Sequence, residues 1–376
     1  MVERKHITLI YQYNDNWIGG TYYILNIIKA LCFLDDRLKP KLSIVIDKGS
    51  NYEVIQNLNY PFIEFIPVRL TFNIAEKIIN RISRILLKRP TIKLKIPGEI
   101  EFLYPVSDFI CTKNVKKFYY WIPDFQEHYL PNFFSAGEIN DRVNTQLIIQ
   151  KTNVPVVFSS YSAQNDYNKF YHPNNNKKAV LNFVSILDDK YLQVPKLPLF
   201  NKYSITRPYF IIPNQFWKHK NQEVVLKAAK LLANQNSEFQ LIFTGKEFDH
   251  RHPNHVSELR EYIKDNGLDE RIQFLGFIDR DEQLQLMKNS VAIIQPSLFE
   301  GWSTVVEDTK AINHFIILSN IDLHKEQINE NCLFFDPYSP EDLALSMSKV
   351  LKGVEITNID YPATILEFSN KFISIF

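Results

Sequence analysis

Residues 291–294, VAII, form an apolar run bounded by Ser290 on one side and by Gln295, Pro296 and Ser297 on the other. Four residues are too few for a free-standing helix, so the run reads as a strand buried in a parallel sheet. The residues that follow make it the first part of a strand–loop–helix unit. Phe299, Glu300, Gly301 and Trp302 fill the loop, and a helical pattern continues through Ile312, with Ser303 or Thr304 expected to supply the N-cap oxygen. A helix start presents unpaired N–H groups and about half a positive charge, which favours a phosphate. The Glu300 carboxylate would repel that phosphate, so its expected partners are hydroxyl groups beside it, such as those of a sugar. Glu307 and Asp308 lie further along the same helix, where either acid would meet hydroxyls on the other side.

Similar runs recur along the chain. Residues 6–13 read as a first strand, and Gly19 and Gly20 precede an apolar-periodic helix at 22–34. The glycine pair allows either close backbone approach to an anion or sugar, or simply a tight turn. Strands near 42–46 and 62–66 alternate with helical segments, the pattern of a doubly wound sheet. A strand at 117–121 runs into Asp124, Gln126 and His128, at the carboxyl end of the sheet where such folds bind ligands. The proline-rich stretch 195–208 reads as an interdomain linker. In the second half, a strand at 209–212 leads to Lys218, His219 and Lys220, cationic or potentially cationic groups at a strand-to-helix turn that suit a diphosphate. Strands ending at Gly245 and before Gly276 and Phe277 follow, and an amphipathic tail spans 361–376.

The 376 residues suggest two domains. The net charge of +1 hides an asymmetry: residues 1–200 hold 25 Lys+Arg against 18 Asp+Glu (+7), which leaves 18 against 24 (−6) for residues 201–376. An acidic second half argues against nucleic-acid binding. In the first half, Ile74, Ile78, Ile82, Ile85 and Leu86 form a stripe among Lys77, Arg81, Arg84, Lys88 and Arg89, with Lys93 and Lys95 beyond. Two readings are open: a helix over 74–95 that lies on an anionic membrane surface, or one that packs its stripe on the sheet with a solvated basic face. Three widely spaced cysteines, Cys32, Cys111 and Cys332, argue against a disulfide framework and fit a reducing cytoplasm. His250, His252 and His255 lack a carboxylate or Cys to complete a zinc pattern. No GxGxxG follows the first strand, which argues against a dehydrogenase.

Glu300 with Asp308 eight positions on, in PSLFEGWSTVVED, followed by His324, Glu326 and Gln327, resembles the acid-x7-acid signature of retaining nucleotide-sugar glycosyltransferases of family 4, in the branch that builds bacterial surface polysaccharides. The usual second residue there is Glu, so Asp308 is a conservative departure and Glu307 an alternative. Residues 121–126, WIPDFQ, are similar to that branch's WxPDxQ signature.

The resemblance implies an α/β fold of two Rossmann-like doubly wound domains facing across a cleft, the GT-B architecture. It places an acceptor-binding domain at 1–198, a nucleotide-sugar domain at 199–355, and a crossover helix at 356–376 returning to the first. Glu300, Lys220 and Asp124 would then be catalytic. Gly19, Gly20, Gln215, Lys218, Gly245, Phe277, Gly301, Trp302, Ser303, Thr304, Glu307 and Asp308 would bind the donor, and Gln126 and His128 the acceptor. Gln215 stands where the family carries Arg, with Lys218 as the compensating cation. The implied reaction moves a sugar, with retention, from a nucleoside-diphosphate sugar to a glycan or lipid-linked saccharide in O-antigen type surface polysaccharide synthesis. No metal or other cofactor is expected. The alternatives are a sugar-nucleotide epimerase and a non-catalytic sugar-nucleotide or glycan-binding partner.

Overall fold

The computed structural model describes residues 4–12, 18–49, 52–107 and 109–376. Its contacts divide the chain into two units, Met1–Phe125 with Ala136–Ile186 and Pro362–Phe376, and Gln126–Ser135 with Leu187–Tyr361.

The apolar runs of the first unit become β1 (His6–Ile10), β2 (Lys41–Asp47), β3 (Ile63–Val68), β4 (Ile100–Val106), β5 (Val115–Ile122), β6 (Val156–Phe158) and β7 (Lys178–Val180). They pair in parallel in the order β3-β2-β1-β4-β5-β6-β7. The second unit holds β8 (Tyr209–Pro213), β9 (Gln240–Thr244), β10 (Ile272–Phe274), β11 (Ala292–Gln295), β12 (Ile316–Ser319) and β13 (Cys332–Phe335), in the order β10-β9-β8-β11-β12-β13. Both sheets are doubly wound α/β sheets, and each has a switch point where the winding reverses, at β1/β4 and at β8/β11.

Strand composition follows from burial on both faces. Every residue of β8, β9, β11 and β12 is buried. On one face Phe210, Ile212, Leu241, Phe243, Ile294 and Ile317 pack under the helices Gln222–Asn234 and Pro340–Leu351. On the other, Ile211, Ile242, Ile293 and Ile316 meet Leu286, Met287, Val306 and Ile312. The alternation 210/212 against 211 is the two-residue period of a strand with a core on each side. Each such aliphatic side chain contributes about 1.5–3 kcal/mol on burial.

Two sequence expectations change, and one of two open readings falls away. The helix after β1 runs Ile18–Leu31, so Gly19 and Gly20 stand in its first turn rather than in a loop before it. The proline-rich 195–208 stretch lies inside the second unit: Pro195 precedes a helix, Lys196–Lys202, whose Leu199 is in the core. The helix Ile74–Leu87 buries Asn80 and Ser83, while its aliphatic stripe is exposed, so the stripe does not pack on the sheet. Residues 13–17, including the end of the expected first strand, lie outside the described residues.

The last helix, Tyr361–Ile375, belongs from Pro362 onward to the first unit. There Ser369 Oγ donates to the carbonyl of Ala30 at 2.8 Å, and Phe376 packs edge-on against Tyr119 with ring centroids 4.8 Å apart.

Candidate active site

Adjacency of β8 and β11 brings two loops together at the switch point of the second sheet. In an open α/β sheet this is where ligands bind, outside the carboxyl ends of the strands. The loop after β8 is anchored by Phe216, fully buried against Phe274 and Phe243 with centroids 4.8 Å and 6.2 Å away. It closes at Asn221, whose φ of +56° suits an Asn. The Asn221 amide donates to the carbonyls of Pro296 (3.1 Å) and Pro337 (2.8 Å), and the Leu298 N–H donates to the His219 carbonyl at 2.8 Å. These bonds hold the β8 loop against the β11 loop.

Lys220 and Glu300 meet there, with Nζ 2.6 Å from Oε1 and side chains 18% and 9% exposed. The same Oε1 accepts from Gln295 Nε2 at 2.7 Å. Gln295 is wholly buried, its own Oε1 accepting from Asn214 Nδ2 at 2.7 Å, so the carboxylate is aimed by a braced amide. A lysine ammonium has three N–H donors, of which Glu300 takes one. Oε2 of Glu300 has no hydrogen-bond partner among the described residues.

Behind the pair lies His324, fully buried. Burial holds its pKa down to about 4, aided by Lys220 and opposed by Glu300 and the Ser319 carbonyl. The ring is therefore neutral near pH 7. Its Nδ1–H donates to that carbonyl at 2.8 Å, which leaves Nε2 as an acceptor, and Nε2 has no partner among the described residues. His219, grouped with the lysines as a potential cation, is also neutral: desolvation first, then Lys220 and Arg251, push its pKa well below the usual value. The cationic character of this turn therefore comes from Lys218 and Lys220.

The helix after the β11 loop is Thr304–Ala311, with Ser303 as N-cap. Ser303 does not cap it through its side chain, contrary to expectation. Its Oγ accepts from Gln295 instead (3.1 Å), and its backbone is fastened by Gln327, which accepts from Ser303 N–H (3.1 Å) and donates to Ser303 O (2.8 Å). The amides of the first turn, beginning at Thr304, are thus left without a side-chain oxygen. Gly301 and the half-buried Trp302 lead into that turn.

The two further acids separate. Both oxygens of Glu307 are taken within the unit: Oε1 accepts from Lys310 Nζ and Gln327 Nε2 (each 3.0 Å), and Oε2 from the Tyr361 hydroxyl (2.7 Å). Glu307 braces the helix and the start of the terminal helix, which corrects its placement beside a ligand. Asp308 is buried and pairs with Arg280, Nη2 to Oδ1 at 2.5 Å. Arg280 in turn donates to Gln283 Oε1 (3.0 Å), and Gln283 to Thr244 Oγ1 (2.9 Å) at the end of β9.

Gly245 has a structural reason. At its φ of +129° a Cβ would stand 2.4 Å from the Asn214 carbonyl oxygen, and its N–H donates to the Gly276 carbonyl at 2.8 Å. It locks together the ends of β8, β9 and β10. Phe277, next in the β10 loop, is 76% exposed. The Gln215 side chain accepts from Trp217 Nε1 at 2.6 Å, so it serves the loop itself.

Gln126 and His128 group with the second unit, in a short helix Gln126–Tyr129. Gln126 is buried, and the neighbouring Tyr129 ring stacks on Phe299 (5.5 Å), the residue before Glu300. Asp124 belongs to the first unit, at the carboxyl end of β5, paired with Arg142 (Nη2 to Oδ1, 2.5 Å). Gly19 and Gly20 are in the first unit too. His324, Gln295 and Arg280 escaped the sequence reading as site residues; the placement of Arg280 one position after the Asp279 N-cap, just beyond Phe277, was the available signal. No group of three or more His, Cys, Asp or Glu positioned for a metal exists among the described residues.

Residues 199–358 match the family model of glycosyl transferases group 1. Over 249 residues the chain is 23% identical to the O-antigen chain mannosyltransferase RfbU of Salmonella typhimurium, an alignment covering 66% of this chain and 63%, under two thirds, of that protein. Among solved structures, a glycosyltransferase from Rickettsia africae superposes with a TM-score of 0.63 at 17% identity, covering 99% of this chain and 93% of that one. Anabaena HepE in complex with UDP and glucose gives 0.63 at 14% identity, covering 99% and 95%. The chain thus has the fold of GT-B glycosyltransferases, and the stretch that matches the glycosyl transferases group 1 model lies in its second unit.

Proposed function

We propose that this protein is a retaining glycosyltransferase that moves a sugar from a nucleoside-diphosphate sugar to a hydroxyl of a glycan or lipid-linked saccharide in surface polysaccharide synthesis. The observation that carries the reading is the Lys220–Glu300 pair, held by Gln295 at the switch point beside an uncapped helix start.

The chemical demand is a sugar that gains positive charge while its diphosphate gains negative charge. Lys220, with two N–H donors to spare, and the first-turn amides from Thr304 onward meet the leaving diphosphate. Lys218 adds a second cation. Oε2 of Glu300 accepts a sugar hydroxyl. Arg280 with Asp308 suits the ribose or phosphate end of the nucleotide, and the exposed Phe277 ring suits its base. As the bond between the anomeric carbon and the β-phosphate oxygen breaks, the acceptor oxygen bonds to that carbon on the same face. The acceptor proton passes to the departing phosphate oxygen. Asp124 and His128 are assigned to the acceptor side. Because Lys220 and the helix amides supply the charge, transfer proceeds without a metal ion.

A panel of UDP-, GDP- and dTDP-sugars tests the reading. One of them should raise the melting temperature and, with acceptor, give a product of retained anomeric configuration at a rate unaffected by EDTA. Inverted product would overturn retention, and conversion of donor to an isomeric sugar nucleotide without acceptor would establish the epimerase instead.

A further inference from the structure

The helix Ile74–Leu87 is built inside out. Its start is fixed by a capping box, in which Asn73 Oδ1 accepts from Glu76 N–H and Glu76 Oε2 accepts from Asn73 N–H, each at 2.9 Å. Lys88, in the left-handed conformation at φ +57°, ends it. The face turned toward the first unit is polar. Asn80, 3% exposed, accepts from Thr91 N–H (3.1 Å) and Ile92 N–H (2.9 Å) and donates to the Ile92 carbonyl (3.0 Å). Ser83 is also buried and accepts from Thr91 N–H at 3.3 Å. An asparagine that satisfies three backbone groups clamps the returning chain as a strand partner would, so the helix is held without using its apolar side.

The apolar side faces outward. Ile74, Ile78, Ile79, Ile82, Ile85 and Leu86 recur at helical spacing on one arc and are 47–78% exposed. Lys77, Arg81 and Lys88, four and seven positions apart, form one flank of that arc, and Arg89 continues it. The helix's single acid, Glu76, is engaged by Arg69 at 2.6 Å and by its own cap. A contiguous aliphatic surface with a cationic border marks an interaction site.

We infer that this face docks the protein on the surface of an anionic lipid bilayer, with the aliphatic arc in the acyl boundary and the basic flank among the headgroups. Length supports a position in the membrane plane: 14 residues span about 21 Å, short of the roughly 30 Å hydrocarbon core. No helix among the described residues is long and apolar enough to cross a membrane. Charge selects the occupant. Anionic headgroups neutralise Lys77, Arg81, Lys88 and Arg89, whereas a second copy of this chain would bring the same cations. The inference stands on this helix alone and survives if the reading of the sugar site fails.

The test uses the full chain and flotation with vesicles of phosphatidylcholine alone or with about one third phosphatidylglycerol. The wild type should float with the anionic vesicles, much less with the neutral ones, and progressively less as salt is raised. The variant Ile78→Ser/Ile82→Ser/Ile85→Ser should retain its melting temperature, because these side chains are exposed, and bind anionic vesicles at least tenfold more weakly. The variant Lys77→Gln/Arg81→Gln/Lys88→Gln should lose the preference for anionic lipid. No flotation of the wild type, or equal flotation of the serine variant, would overturn the proposal. So would a wild-type dimer in light scattering that the serine variant abolishes while lipid binding stays unchanged.

Discussion

Lys220 and Glu300 lie 80 positions apart and meet at 2.6 Å because β8 and β11 are neighbours in the sheet. If the pair handles the donor, each side chain carries a distinct share. Lys220→Ala removes a donor aimed at developing diphosphate charge and should lower kcat about 10²–10³-fold. Glu300→Gln keeps the shape and a neutral acceptor and should cost roughly tenfold, since a hydrogen bond to a charged acceptor is worth about 1–1.5 kcal/mol more than one to a neutral acceptor. Circular dichroism and steady-state kinetics on both variants check this. His324 supplies a pH signature. Its folded pKa of about 4 lies below the ordinary 6.5, so between those values the unfolded chain binds a proton that the folded chain refuses. Stability is therefore full above pH 6.5 and falls as pH drops through that window, by up to ~3 kcal/mol from this group. His219, His255 and His314, also held down by burial, act in the same direction. Urea unfolding between pH 4.5 and 7 should show that slope, shallower in His324→Gln. At this scale the sequence located the acids but could not rank Glu307 against Asp308. Adjacent positions on a helix point about 100° apart, and only the fold reveals that the first turns toward Lys310, Gln327 and Tyr361.

The strands were legible because parallel strands are continuous apolar runs, and 209–212 and 291–294 needed no partner to be seen. Helix starts were less so. A glycine pair reads as a break, yet Gly19 and Gly20 sit in a first turn. Prolines at 195 and 198 read as linker, yet proline is at home at a helix start, and Leu199 lies in the core. The stripe of the helix Ile74–Leu87 was visible in its period, but a period gives the existence of two faces and not which one is buried. Asn80, hydrogen-bonded to residues 91 and 92, decided that. Where three strand ends are joined, the sequence placed Gly245 without its reason. Gly245→Ala combines a disfavoured φ with a Cβ 2.4 Å from a carbonyl oxygen, so it should cost on the order of 3 kcal/mol of stability and weaken donor binding. Chemical denaturation and donor titration measure the two effects.

Across the whole molecule, the two sheets divide the labour if the proposal holds. Lys220, Glu300, Arg280 and Phe277 all belong to the second unit, so donor binding should depend on it alone. Asp124, paired with Arg142, belongs to the first. Asp124→Asn should therefore leave the donor Kd within about twofold and lower transfer at least tenfold, a split that calorimetry and kinetics can resolve. The +7 and −6 charge halves of the sequence suggested an anionic partner for the first half, but not which helix carries the exposed aliphatic face. The central claim is that Lys220 and Glu300 together hold a sugar nucleotide. It is met most directly by titrating the stabilising donor into wild type, Lys220→Ala, Glu300→Gln and the double variant. A Kd raised tenfold or more in Lys220→Ala, with the two substitutions non-additive, is the expected result; unchanged donor affinity in the lysine variant, with transfer intact, would contradict it.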